Sequence, residues 1–169
     1  MTYKKKRGLM HLKKNQLEKI CKKYALTARQ IEYIKLLFLG INDNQIIAQE
    51  LENTLLTAKI HITNIYKKLH ESHKLAVVIK IIKECKLLHF NINDPPKELI
   101  EKFQQKYNLT NRETELFKIL CKGITANKEI GNVMNIHFET TKIHQKFLYR
   151  KTLTNNKLAL VIKFIDESE

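Results

Sequence analysis

Glycine and proline are scarce in this sequence, which has only four glycines and two prolines among its 169 residues. Turns must therefore be few and short, a composition that favours helices over a hairpin-rich sheet. Cysteine is scarce as well, and Cys21, Cys85 and Cys121 are widely spaced without a C-x-x-C pair. An odd number of scattered cysteines argues against a disulfide framework and predicts reduced thiols within helices. The composition predicts an all-α protein.

The sequence also lacks a long apolar run. No such run reaches 18 residues, because lysines interrupt the most hydrophobic stretch, residues 75–88, so we predict no membrane-spanning segment. Basic residues occupy positions 4–7, but polar residues follow where a secretory signal would need its apolar core. We therefore expect a mature cytoplasmic protein, whose basic N-terminal arm is either a nucleic-acid contact or a solubilising tail.

Motifs that carry catalysis are missing. There is no glycine-rich phosphate loop, no G-x-S-x-G and no H-E-x-x-H, and the seven histidines are scattered. Cys85 and His89 have a spacing that could place two metal ligands on one helical face, but two ligands do not make a site. We expect no enzyme activity, no cofactor and no metal.

Acidic residues are few relative to basic ones. The chain has 31 lysines and arginines against 17 aspartates and glutamates, a formal net charge of +14. Such an excess attracts polyanions over about a Debye length, roughly 8 Å at physiological salt. Nucleic acid is the predicted partner, and an anionic membrane surface is the competing explanation of the charge.

The sequence repeats itself without a gap at an offset of 83 residues. Identical pairs at this offset include Tyr24 and Tyr107, Thr27 and Thr110, Arg29 and Arg112, Gly40 and Gly123, Asn44 and Asn127, Lys59 and Lys142, His61 and His144, and Lys74 and Lys157. Both prolines lie in the bridge between the copies. We therefore predict a first domain over residues 1–90, which includes the basic arm, and a second over residues 91–169.

Each copy is predicted to contain four helices with one more helix ahead of them. Thr27-x-x-Gln30 and Thr110-x-x-Glu113 have capping-box spacing, and Gly40 and Gly123 supply the left-handed stop of the same helix. A second helix is expected over about residues 44–51 or 127–134. After a short turn, a third helix is expected over about residues 54–69 or 137–152. Two helices joined in this way form a helix-turn-helix, whose second member enters the major groove of DNA.

The third helix of each copy is rich in basic residues and has no carboxylate after Thr57 or Thr140. Its apolar stripe in the first copy leaves Lys59, Thr63 and Tyr66 on the outward face. A basic face of this kind is either a DNA-reading surface or a solvated surface. Its duplication favours DNA.

The combination Leu-Thr-x-Arg-x-x-Glu, then Gly-Ile-x-x-Asn, then Thr-x-Lys-x-His, found twice, resembles the LuxR/GerE-type DNA-binding domain. The resemblance covers about residues 24–83 and 107–165. It implies an all-α fold of two tandem four-to-five-helix LuxR-type helix-turn-helix domains. It also implies sequence-specific binding of double-stranded DNA by a bacterial transcriptional regulator.

The resemblance further implies which residues contact DNA. Those expected at base edges are Lys59, Ile60, Thr63, Lys142, Ile143 and Lys146. Those expected near phosphates are Thr57, Thr140, Lys68 and Lys151. Two more basic residues of the same helices, Lys67 and Arg150, complete the predicted DNA-binding set. Lysine can donate to guanine O6 or N7, and a branched methyl suits the thymine methyl.

The final helices, from Leu75 to Ile82 and from Leu158 to Ile165, are the elements through which this family commonly dimerises. They are expected either to pair, within one chain as a pseudo-dimer or between chains as a homodimer, or to cover the core of their own domain. The alternative function is a helix-turn-helix adaptor that binds and modulates another regulator without reading DNA itself. Binding of double-stranded RNA ranks third, because its deep, narrow major groove excludes a helix.

The second copy departs from the pattern. His137 stands where the family prefers a serine or threonine cap, and Gln145 and Thr152 interrupt the apolar stripe of the third helix. The first copy also has the larger excess of basic residues. We therefore expect the second copy to dock differently or more weakly, and the first to dominate the affinity.

Overall fold

The computed structural model describes residues 14–168, with side chains from residue 19 onward. This range contains ten α-helices and no strand, and the prediction of an all-α fold is confirmed. The helices are α1 (Lys14–Lys23), α2 (Ala28–Phe38), α3 (Asn44–Glu50), α4 (Leu55–Leu69), α5 (Lys74–Cys85), α6 (Lys97–Lys106), α7 (Asn111–Cys121), α8 (Asn127–Met134), α9 (Phe138–Thr152) and α10 (Lys157–Ser168). The basic arm at residues 4–7 lies outside the described residues.

Helices α6 to α10 follow α1 to α5 at an offset of 83 residues, apart from one extra residue at the end of α8. The predicted capping boxes are present. The Thr27 Oγ1 accepts a hydrogen bond from the Gln30 backbone N–H at 3.3 Å, and the Gln30 Oε1 accepts from the Thr27 N–H at 3.1 Å. Thr110 and Glu113 form the same pair of bonds. Gly40 and Gly123 both have positive φ angles, as the predicted helix stops require.

The inward faces of α4 and α9 are chemically different. Ala58, Ile62, Ile65 and Leu69 of α4 are all buried, whereas the equivalent residues of α9 are Thr141, Gln145, Leu148 and Thr152. The Gln145 Nε2 donates to the Asn127 Oδ1 at 2.9 Å, and the Thr152 hydroxyl donates to the Leu148 carbonyl at 2.8 Å. Hydrogen bonds thus compensate most of the polar groups that interrupt the stripe.

The two halves of the chain contact each other through α5 and α10. The backbone of Gly40, at the end of α2, lies so close to α10 that a Cβ built on it would be 3.1 Å from the Ala159 Cα. The Asn156 Nδ2 also lies 3.5 Å from the Gly40 carbonyl oxygen. On the opposite side, His73 lies close to the backbone of Gly123, at the end of α7. Because Asn156 and His73 are equivalent in the repeat, these cross-contacts are reciprocal.

His73 and Asn156 also cap the helices that meet in this contact. The His73 Nδ1 accepts from the Ala76 N–H at 3.1 Å, and the Asn156 Oδ1 accepts from the Ala159 N–H at 2.8 Å. Burial lowers the pKa of His73, and Lys157 acts in the same direction. The carboxylates of Glu71 and Glu129 and the Gly123 backbone oppose this shift. His73 is therefore held neutral, with its Nδ1 as the acceptor that the cap needs.

The three cysteines are thiols, and burial raises the pKa of Cys121. Helix α5 ends at Cys85, and Lys86 turns into the left-handed conformation. His89 therefore does not share a helical face with Cys85. Within residues 14–168, no helix is long and apolar enough to cross a membrane. The same range contains no group of three or more His, Cys, Asp and Glu side chains placed to hold a metal ion.

Candidate nucleic-acid interface

Helices α3 and α4, and likewise α8 and α9, pack against each other across short turns. The turn between α8 and α9 passes very close to α8. A Cβ built on Gly131 of α8 would lie 2.8 Å from the Ile136 carbonyl oxygen and 3.3 Å from the Thr141 Oγ1. The equivalent position in α3 is Ala48, which is itself buried. Each pair therefore consists of two packed helices joined by a short turn, with α4 and α9 as the second members.

The starts of α4 and α9 have different caps. The Thr54 Oγ1 accepts from the Thr57 backbone N–H at 3.1 Å and lies 2.9 Å from the Thr57 Oγ1. In the second unit, the His137 Nδ1 accepts from the Glu139 N–H at 3.4 Å. His137 thus takes the place of the hydroxyl cap, with a longer bond. The first turn of each helix is thus stabilised by a side chain just ahead of it in the sequence.

A lysine from the final helix holds each unit in position. The Lys74 Nζ donates to the Asn44 Oδ1 at 2.6 Å and to the Asn42 carbonyl at 2.5 Å. The Lys157 Nζ donates to the Asn127 Oδ1 at 2.7 Å in the same way. Burial lowers the pKa of Lys74 to about 8. The recurring asparagine and lysine of the sequence pattern therefore join the start of α3 or α8 to the final helix, and are structural.

The residues predicted at base edges lie together on the outward faces of α4 and α9. Lys59, Thr63, Lys142 and Lys146 are exposed. Ile60 and Ile143, which are 51% and 53% exposed, lie beside them. Each helix thus presents a lysine next to a branched aliphatic side chain in solvent.

The two lysines at the start of this face differ in their surroundings. The Lys142 Nζ forms an ion pair with the Glu139 Oε1 at 2.8 Å and lies 4.9 Å from the centre of the Phe138 ring. Lys59 has no ion pair among the described residues, and Leu56 occupies the position equivalent to Glu139. The faces are therefore alike in shape and unlike in charge.

Lys68 and Lys151 do not extend into solvent as phosphate contacts would. The Lys68 Nζ donates to the Ala25 carbonyl at 2.5 Å and to the Gln30 Oε1 at 2.9 Å. The Lys151 Nζ forms an ion pair at 2.7 Å with Glu113, whose side chain is 4% exposed. Both ammonium groups fold back onto the capping box of α2 or α7, where the Gln30 Oε1 or the Glu113 Oε2 accepts from the lysine as well as from the N-cap backbone. The structure thus gives both lysines partners within the chain, and their expected position near phosphates stays a prediction.

The carboxylate of Glu113 depends on that contact. Burial works to raise its pKa, but the hydrogen bond with Lys151 and those with Thr110 outweigh burial and hold the pKa below its ordinary range. Lys151 therefore neutralises a buried charge within the domain.

The other residues of the predicted DNA-binding set lie around the outward faces. Lys67 and Arg150 are exposed, and the Arg150 guanidinium lies 4.8 Å from the centre of the Phe147 ring. Thr57 and Thr140 are half-buried at the first turn of their helices. Tyr66, predicted to face outward, is half-buried instead, and burial raises its pKa to about 12.

Large apolar side chains were not anticipated in this region. Leu56 is 69% exposed, Val133 is 55% exposed, and Phe138 and Phe147 are also exposed. Leu56 lies three residues before Lys59, and Phe138 lies four before Lys142, so each is on or next to the lysine face. The spacing between these apolar residues and the lysines is visible in the sequence and could have predicted that they lie close together.

Comparison with known proteins identifies the second half of the chain. Residues 107–164 match the family of bacterial regulatory proteins named luxR. Over 59 residues, 35% of this chain, the sequence is 36% identical to the nitrate/nitrite response regulator protein NarP of Escherichia coli (strain K12). The aligned part is 27% of the length of NarP, so this chain spans about a quarter of that relative. No solved structure matches the chain significantly. Residues 107–164 form a LuxR-type helix-turn-helix domain.

Proposed function

We propose that this chain is a bacterial transcriptional regulator that binds double-stranded DNA sequence-specifically, and that it acts by binding and not by catalysis. The observation that carries the proposal is the outward face of α9. Lys142, Ile143 and Lys146 lie exposed on the second helix of a LuxR-type helix-turn-helix domain. Ammonium groups suit guanine O6 and N7, and the isoleucine methyl groups suit the thymine methyl.

We further propose that the first half of the chain is a second unit of the same kind. Helix bounds that recur at an offset of 83 residues support this, as do the matching capping boxes. The exposed Lys59, Ile60 and Thr63 of α4 are the base-edge candidates there. Lys67 and Arg150, with the overall charge of +14, supply the attraction to phosphates that is independent of sequence. Lys68 and Lys151 are assigned to positioning instead.

In this proposal one chain occupies both half-sites of an operator. Proteins with this motif commonly bind as dimers that place two recognition helices about 34 Å apart, one turn of DNA. The reciprocal contacts of His73 with Gly123 and of Asn156 with Gly40 support a pseudo-dimer within the chain. Sedimentation of the complex tests this point. One chain per two-half-site duplex is expected, and two chains per duplex would contradict it.

The first experiment is selection from a random duplex library, followed by affinity measurements at several salt concentrations. Wild type should enrich a defined two-half-site sequence. Lys59→Ala and Lys142→Ala should each weaken binding by about 1–3 kcal/mol and relax the preference in one half-site. Lys35→Ala and Lys118→Ala are matched controls, since these exposed lysines occupy equivalent positions on α2 and α7, outside the helix-turn-helix pairs. Binding that is sequence-blind and indifferent to Lys59 and Lys142 would contradict the proposal.

The second candidate is an adaptor that docks on another regulator. The exposed Val133 of α8 and the exposed Phe138 and Phe147 of α9 favour it, because exposed large apolar side chains are typical of protein contacts. An adaptor predicts that Phe138→Ser and Phe147→Ser leave DNA affinity unchanged and abolish binding to a partner protein. Loss of DNA affinity in these variants would instead assign the apolar groups to the DNA surface.

A further inference from the structure

The second residue of the proposed recognition helix differs in kind between the two halves. It is Leu56 in α4 and Glu139 in α9. Both side chains are solvent-exposed, Leu56 to 69% and Glu139 to 54%. Neither side chain is part of the core. The difference between them therefore changes what the helix surface contacts and leaves the fold unchanged.

Both residues lie on the base-edge face of their helix. Positions three and four apart share one face of a helix, which places Glu139 with Lys142 and Ile143, and Leu56 with Lys59 and Ile60. The 2.8 Å ion pair between Glu139 and Lys142 shows that the carboxylate reaches the lysine. In a helix-turn-helix the N-terminal residues of the recognition helix are those that meet base edges.

We propose that this position is a specificity determinant, which makes the two half-sites differ at one base pair. Glu139 accepts a hydrogen bond from the N4 amine of cytosine, whereas Leu56 packs on the methyl group of thymine. The inference rests on the proposed DNA binding by both halves.

The chemistry of the groove selects these bases. A carboxylate only accepts hydrogen bonds, and cytosine presents a donor in the major groove without an acceptor of its own. Adenine places its N7 acceptor beside its amine, which would repel the carboxylate. With Lys142 donating to guanine O6 or N7, the paired lysine and glutamate present a donor and an acceptor side by side. Leu56 carries no polar group, so its only gain from a base edge is apolar contact.

Selection from a random duplex library tests the assignment with reciprocal variants. Wild type should enrich a site that has cytosine at the base contacted by Glu139 in one half. The equivalent base in the other half, contacted by Leu56, should be thymine. Glu139→Leu should change the cytosine to thymine and make the halves alike. Leu56→Glu should change the thymine to cytosine, again with like halves. For the wild type, replacing the preferred cytosine by thymine should weaken binding about tenfold.

Glu139→Gln distinguishes a base contact from a change of charge. An amide both donates and accepts, so this variant should shift the preference from cytosine towards adenine. Circular dichroism of each variant confirms that the exposed substitution leaves the fold intact.

Two outcomes would overturn the assignment. One is a wild-type site whose halves have the same base at this position. The other is a set of variants that change affinity uniformly without changing the base preference. Both leave the proposed function standing, because a defined site is still selected. If the wild type selects no sequence at all, the proposed function fails and this assignment fails with it.

Discussion

Replacing Gly40 by alanine tests the contact between the two halves of the chain. Gly40 has a φ angle of +77°, and an added Cβ would lie 3.1 Å from the Ala159 Cα and 3.2 Å from the Ala159 Cβ. Gly123 is its equivalent, with a φ angle of +87°, but the nearest atom to an added Cβ there is the Ile79 Cδ1 at 3.8 Å. The two substitutions share the backbone strain and differ in what the new methyl group meets.

The expected magnitudes follow from these two causes. An alanine in the left-handed region costs about 1–2 kcal/mol, and this applies at both positions. Alanine also restricts the unfolded chain more than glycine does, which stabilises each variant by about 0.4–1 kcal/mol. Overpacking against the backbone of Ala159 adds about 1–3 kcal/mol for Gly40→Ala. The difference between the two variants therefore isolates the contact with α10, and Gly40→Ala should be the less stable by about 1–3 kcal/mol.

Urea unfolding followed by circular dichroism measures the free energies of unfolding of both variants and of the wild type. If the contact also sets the spacing of α4 and α9, the proposed DNA binding predicts that Gly40→Ala weakens binding to a two-half-site duplex more than Gly123→Ala does. Equal destabilisation by the two substitutions would refute the reasoning, because it would mean that Ala159 does not limit the space at Gly40.

Two further predictions concern groups buried by this fold. Lys151→Met should lower the free energy of unfolding by about 3 kcal/mol, because it leaves the buried Glu113 carboxylate without its partner. Lys68→Met should cost only about 1 kcal/mol, because its partner Gln30 is neutral; equal losses in urea unfolding would contradict this. Burial holds the pKa of His73 below its ordinary value of 6.5, so stability should fall as the pH drops below 6.5 and the unfolded chain takes up the proton first. His73→Asn, which copies the Asn156 cap, should lose less stability between pH 7.5 and 5.5, and an unchanged loss would assign the acid sensitivity to other groups.

The helices could be predicted from the sequence because their signals are local. A threonine with Gln30 or Glu113 three residues later closes a capping box, whatever packs around it. Gly40 and Gly123 end their helices because glycine adopts positive φ angles without steric cost. Because the sequence repeats, each of these signals occurs twice. These features depend on neighbours within one turn of helix.

The roles of individual lysines could not be predicted in the same way. Lys67 and Lys68 are adjacent and chemically identical in the sequence, yet Lys67 is exposed and Lys68 donates to Gln30, a residue 38 positions earlier. The direction of each ammonium group depends on how α4 packs across α2. Tyr66 was expected on the outward face and is half-buried, because its exposure also depends on how α4 packs against its neighbours.

The sequence by itself determined the helical class, the helix ends, the duplication and the position of the basic outward faces. Each of these follows from residue type and from spacing along the chain. Only the tertiary structure decided that Lys68 donates to Gln30 and Lys151 to Glu113, that Glu139 pairs with Lys142, and that Gly40 meets α10. These are contacts whose geometry depends on how whole helices pack, because a side chain takes the acceptor that packing brings within its reach.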